Sequence, residues 1–134
     1  MPAKIFVNLA VKDLNKSVEF FKKLGYSFNQ QFTDETASCM VISEHIYAML
    51  LTEAKFKEFT PKQIADASKT TEVLTCLSAE SKDAVNQLVD KALAAGGTET
   101  RPPQDYGFMF VRSFNDLDGH IWEIAWMDES SINK

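Results

Sequence analysis

The chain has 134 residues, 45% of them hydrophobic, and its 14 Lys and Arg against 19 Asp and Glu leave a formal net charge of −5. That length suits one domain with a real core, and the acidic balance excludes the clustered cations that a nucleic-acid surface needs. No apolar run is long enough to span a bilayer or serve as a secretory leader, so the expectation is a cytoplasmic protein with no membrane partner.

Residues 4–11 are aliphatic and strand-like, and they stop at Asp13, a residue suited to cap a helix N-terminus. Ser17, Phe20, Phe21 and Leu24 then recur at helical spacing, and Gly25 supplies a left-handed stop. Three strand-like runs follow at 26–32, 37–43 and 46–52, so the first half reads β-α-β-β-β. The second half repeats that order. A strand is expected at 72–77, and Ser81 caps a helix carrying Val85, Leu88, Val89, Ala92 and Leu93 before Gly96 and Gly97. Strands are then expected at 98–101, 107–114 and 120–127, separated by Pro102-Pro103 and by the turn 115–119. Between the halves, Thr60-Pro61-Lys62-Gln63 carries a short-helix start signal. The fold class expected is therefore α+β, with module one at about 1–58, a linker at about 59–70 and module two at about 71–128. Cys39 and Cys76 lack CxxC spacing and read as small reduced core residues.

Two segments carry a family resemblance. Residues 11–21 fit V-x-D-L-x-x-S-x-x-F-[FY], and residues 116–123 fit D-x-D-G-x-x-x-E. With the paired β-α-β-β-β order they resemble the vicinal oxygen chelate superfamily, the glyoxalase, bleomycin-resistance and extradiol dioxygenase group. The resemblance implies two modules whose curved sheets frame a cleft, a homodimer, and a divalent metal in the enzymatic members. It places one metal ligand on the first strand and one on the last strand of each module. Counted onto this chain, those positions fall on Phe6, Leu50, Glu72 and Glu123. Phe6 and Leu50 cannot ligate, so no metal cofactor is expected; the only carboxylates left for a divalent cation are Glu72 and Glu123.

Strand alternation proposes which residues face the cleft. Phe6, Asn8 and Ala10 share one face of the first strand, and Ile121, Glu123, Ala125 and Met127 share one face of the last, with Trp122, Ile124 and Trp126 turned to the helices. The same reasoning sends Ile46, Ala48, Leu50 and Thr52, and also Glu72, Leu74 and Cys76, into the cleft. Candidate ligand-binding residues are thus Asn8, Glu72, Tyr106, Phe108, Arg112 and His120, with Glu123 as the candidate catalytic acid/base. The leading functional expectation is a small-molecule binder with an apolar cleft and no catalytic metal. The alternative is a metal-dependent lyase, isomerase or dioxygenase-type enzyme of the same superfamily.

Overall fold

A computed structural model describes residues 2–131, which form two compact units divided between Asp66 and Ala67. In the first unit the chain runs β1 (Ile5–Val11), α1 (Leu14–Lys23), β2 (Ser27–Asn29), β3 (Ala37–Val41), β4 (Ile46–Thr52) and α2 (Glu53–Lys57). The sheet order is β1-β4-β3-β2, with β1 and β4 parallel and the other pairs antiparallel. Helix α1 starts where Asp13 accepts the Lys16 N–H at 3.1 Å, satisfying a donor that the first turn leaves open. It buries Leu14, Ser17, Phe20 and Phe21, and each phenylalanine contributes about 1.5–3 kcal/mol of hydrophobic stabilisation.

The second unit repeats the plan with β5 (Thr75–Ser78), α3 (Lys82–Ala94), β6 (Thr98–Glu99), β7 (Gln104–Asp105), β8 (Met109–Asn115) and β9 (Ile121–Met127). Its sheet runs β5-β9-β8-β6, with β7 also paired to β8 and the β5–β9 pair parallel, as β1 and β4 are. Ser81 caps α3 by accepting the Ala84 N–H at 3.0 Å, and Val85, Val89 and Ala92 fill the core with Phe114, Trp122 and Ile124.

Several expected boundaries move. The strand anticipated at 26–32 shortens to β2, and Gln30–Phe32 form a 3-10 turn in which Asn29 accepts the Gln31 N–H. The helix signal at Thr60 yields only a bend, its hydroxyl accepting the Lys62 N–H at 3.1 Å, while the linking helix is α2, whose cap is Thr52. The strand expected at 72–77 begins only at Thr75, leaving Glu72 in an exposed bend.

The face assignment of β4 is reversed. Parallel register sets Val7 beside Ala48 and Leu9 beside Leu50, and both β4 residues are fully buried on the side that α1 covers. Phe6 instead neighbours Tyr47, and their rings stack at 4.7 Å on the other side. Tyr47, Met49 and Leu51 therefore share the face of Phe6, Asn8 and Ala10, and Ile46, Ala48, Leu50 and Thr52 do not. IYAMLLT has no polar residue until its end, so alternation within β4 could not reveal which half was inside.

Candidate functional site

The second unit encloses a concavity of about 260 Å³ lined by β5, β8, β9 and the segment joining β6 to β7. Its floor follows from strand register. Three rungs cross the β8–β9 ladder on one face: Ser113 beside Glu123, Val111 beside Ala125, and Met109 beside Met127. On the other side of Glu123 the parallel neighbour is Cys76. One end of the floor is thus the polar row Cys76–Glu123–Ser113, and the other end is a pair of methionines whose unbranched side chains adapt to irregular shapes. Arg101, Pro102, Gln104 and Tyr106 line the rest. The Thr100 N–H donates to the Ser113 carbonyl at 3.4 Å, which brings the backbone next to Arg101 to the polar end.

Ser113 is only 3% exposed, and its hydroxyl has no hydrogen-bond partner. A buried unpaired hydroxyl costs about 1–3 kcal/mol, an expense that native cores avoid and that functional pockets tolerate. The Cys76 thiol is pushed up by desolvation and, secondly, by the Glu123 carboxylate, so at neutral pH it stays protonated and weakly nucleophilic. Cys76 is exposed in the pocket rather than in the core, where Cys39 lies 1% exposed. The rim is ordered by Asp105, which accepts the Gly107 N–H at 2.9 Å and pairs with Lys82 at 3.4 Å. These contacts, led by the Gly107 N–H, hold the Asp105 carboxyl below its usual range.

The expected site residues divide. Glu123 and Tyr106 line the concavity. Phe108 does not; it is exposed, with its ring 6.5 Å from that of Tyr106. Arg112 points the other way: its register partner is Ile124, and its guanidinium reaches Asp90 at 2.9 Å and Asn86 at 3.0 Å on α3, and Glu99 at 3.2 Å on β6. It clamps the helix to the sheet, which corrects its expected place among the pocket's polar handles. Glu72 is also not brought to Glu123, whose strand neighbour is Cys76. In the first unit Asn8 is exposed and its amide donates to the Phe6 carbonyl at 3.3 Å.

His120 belongs to a turn anchor. The Asp116 carboxylate accepts the Asp118 and His120 N–H groups at 3.0 Å each and the buried Trp122 indole N–H at 3.0 Å, and faces His120 Nδ1 at 3.2 Å. Burial pushes the Asp116 carboxyl up, against the opposing pull of His120 and Trp122. Ligand atoms of Asp116, Asp118 and His120 lie within 4.8 Å of one another, a spacing a cation could bridge. The Asp116 oxygens are already taken by these donors, and that is the geometry of a structural corner.

The four positions implied for a catalytic metal do not fit one. Phe6 is stacked on Tyr47, Leu50 is buried on the opposite face of its sheet, and Glu72 lies outside its strand. Glu123 is left beside a protonated thiol, short of the three or more N/O donors that a first-row site takes. Alternation had placed Cys76 on this face but not beside Glu123. Ser113 was missed because its place beside Glu123 arises from cross-strand register, which no local pattern encodes, and Arg101 because it lies in the irregular segment between β6 and β7.

The fold recurs in solved structures. A hypothetical protein from S. aureus is 27% identical, with a TM-score of 0.79 and 94% of each chain covered. A fosfomycin resistance protein from Mesorhizobium loti is 11% identical, with a TM-score of 0.71 over 100% of this chain and 99% of that one. A lactoylglutathione lyase from Agrobacterium tumefaciens is 13% identical, with a TM-score of 0.70 and 94% of each chain covered. Among curated proteins no sequence matches. The family model for the Glyoxalase/Bleomycin resistance protein/Dioxygenase superfamily matches residues 5–124, nearly the full length of a chain whose two units each run from a strand through a helix into further strands, and the protein belongs to that superfamily.

Proposed function

We propose that this protein binds a small molecule in the concavity of its second unit and does so without a catalytic metal at the positions its metal-dependent relatives use. The observation that carries the reading is the polar row Cys76–Glu123–Ser113 at one end of a pocket whose other end is the apolar Met109–Met127 pair, with the Ser113 hydroxyl buried and unpartnered. Ser113 lines the pocket and its hydroxyl has no partner among the protein's own groups, so a ligand donor or acceptor that reached it would relieve that cost. Glu123 is the polar anchor of the site and Tyr106 an aromatic wall; Phe108 is outside the lining. Asn8, Glu72 and His120 take no part in this pocket.

The donor set favours binding over metal-assisted chemistry. A lyase or dioxygenase of this superfamily would need a Lewis acid, and two of the four inherited positions are hydrocarbon. A cytoplasmic homodimer completes the proposal, as the resemblance implies. The test combines two measurements. Protein incubated with Mn²⁺, Fe²⁺, Ni²⁺ and Zn²⁺ and then desalted is assayed by elemental mass spectrometry beside Glu123→Ala; the expected result is no retained metal, and near-stoichiometric metal that vanishes in the variant would overturn the reading. In parallel, the alkylation rate of Cys76 is followed across a fragment panel, with saturable protection expected from pocket ligands.

A further inference from the structure

The two ends of the pocket differ in chemistry, and that difference names a class of ligand. At one end the Glu123 carboxylate and the Ser113 hydroxyl are neighbours across β8 and β9, both able to accept from an N–H donor. Arg101 lines the same pocket, two residues from Glu99 on β6 and one from Thr100, whose N–H bonds the Ser113 carbonyl. No ion pair joins Arg101 to any acid among the described residues, unlike Arg112, which pairs with Asp90 and Glu99. The pocket lining therefore holds an anion, Glu123, and a cation, Arg101, whose neighbour Thr100 is bonded to the backbone of Ser113. At the other end Val111, Ala125, Met109 and Met127 present hydrocarbon and thioether, with Pro102 and Tyr106 also in the lining. The volume of about 260 Å³ equals the share of about nine waters, room for a molecule of roughly ten non-hydrogen atoms.

We infer that the pocket holds a compact zwitterion of the apolar α-amino-acid class, with its ammonium on Glu123 and Ser113, its carboxylate on Arg101, and its side chain on the Met109–Met127 end. This rests on the reading of the concavity as a ligand site and specifies what enters it. A single cation or a single anion would leave Arg101 or Glu123 without a partner, whereas a molecule carrying an ammonium and a carboxylate on one carbon can pair with both. A branched aliphatic tail suits walls made of methionine and valine, since thioether chains repack around it.

Four probes of one shape separate the terms: L-leucine, isoamylamine, isocaproate and isoamyl alcohol, which share the branched tail and differ in head group. Binding is read by calorimetry and by protection of Cys76 from alkylation at mildly alkaline pH, with Cys39, which is 1% exposed, as the internal unreactive thiol. L-leucine is expected to bind at least tenfold more tightly than any of the other three and to slow Cys76 labelling; this head-group selectivity follows from pairing both charges. Glu123→Gln should reduce L-leucine binding to the level of isocaproate, and Arg101→Gln to that of isoamylamine, each with an unchanged urea midpoint. If isoamyl alcohol protects Cys76 as well as L-leucine does, the site binds ligands but the zwitterion assignment falls. If isoamylamine or isocaproate alone matches L-leucine, the assignment falls likewise. If none of the four binds or protects, this inference is overturned, and the fragment panel alone decides the reading beneath it.

Discussion

Replacing Ser113 with alanine should make the free protein more stable. The residue is 3% exposed and its hydroxyl has neither donor nor acceptor, so the folded state carries a desolvation cost of about 1–3 kcal/mol that the unfolded chain does not. Removing one oxygen leaves a void smaller than a methyl group, which costs at most about 1 kcal/mol. The net expectation is a gain of about 1 kcal/mol, or a rise of about 3–5 °C in Tm for a chain of this size. Ser81→Ala is the comparison: that hydroxyl accepts the Ala84 N–H at 3.0 Å at the start of α3, and its loss should cost about 1 kcal/mol. The two substitutions delete the same atom from the same residue type and should move the urea midpoint in opposite directions at equal m. A loss of stability in Ser113→Ala as large as that in Ser81→Ala would refute the reasoning, because it would mean the Ser113 hydroxyl is paired. The same variant should bind L-leucine more weakly, the trade expected where a pocket keeps an unsatisfied group for its ligand.

Desolvation pushes the Tyr26 phenol up to about 12. The folded protein then keeps this proton while the unfolded chain releases it near 10, so stability is unaffected below about pH 10 and falls as pH rises toward 12, by about 2–3 kcal/mol in full. Tyr26→Phe should remove that alkaline loss, as measured by urea unfolding across the range, and an identical profile in the variant would count against it. Asp116→Ala should cost about 2–4 kcal/mol, since the Trp122 indole and two turn N–H groups lose their acceptor, yet leave pocket binding intact. A variant that folds as stably as the parent, or one that keeps its stability while losing the ligand, would contradict the structural role given to that turn.

Local chemistry made much of this protein legible in its sequence. Asp13 and Ser81 cap the helices they were expected to cap, and Gly25 and Gly96, at φ of 106° and 114°, end them, because these are interactions between residues a few positions apart. The β-α-β-β-β order of the first half, and of the second apart from the added two-residue β7, followed from hydrophobic periodicity in the same way, as did the inward turn of Trp122 and Ile124. Which residues meet across strands did not. β4 is apolar on both faces, so only its parallel pairing with β1 decided that Tyr47 and Met49, and not Ala48 and Leu50, lie beside Phe6 and Asn8. Arg112 sits in a strand whose alternation permits either face, and the carboxylates of α3 and β6 drew it away from the pocket. The late start of β5 put Cys76 rather than Glu72 next to Glu123, and the β8–β9 ladder put Ser113 on its other side. Sequence periodicity specifies a residue's face within its own strand; register between strands is a long-range property set by the packing of the whole unit, and it was register that assembled the site.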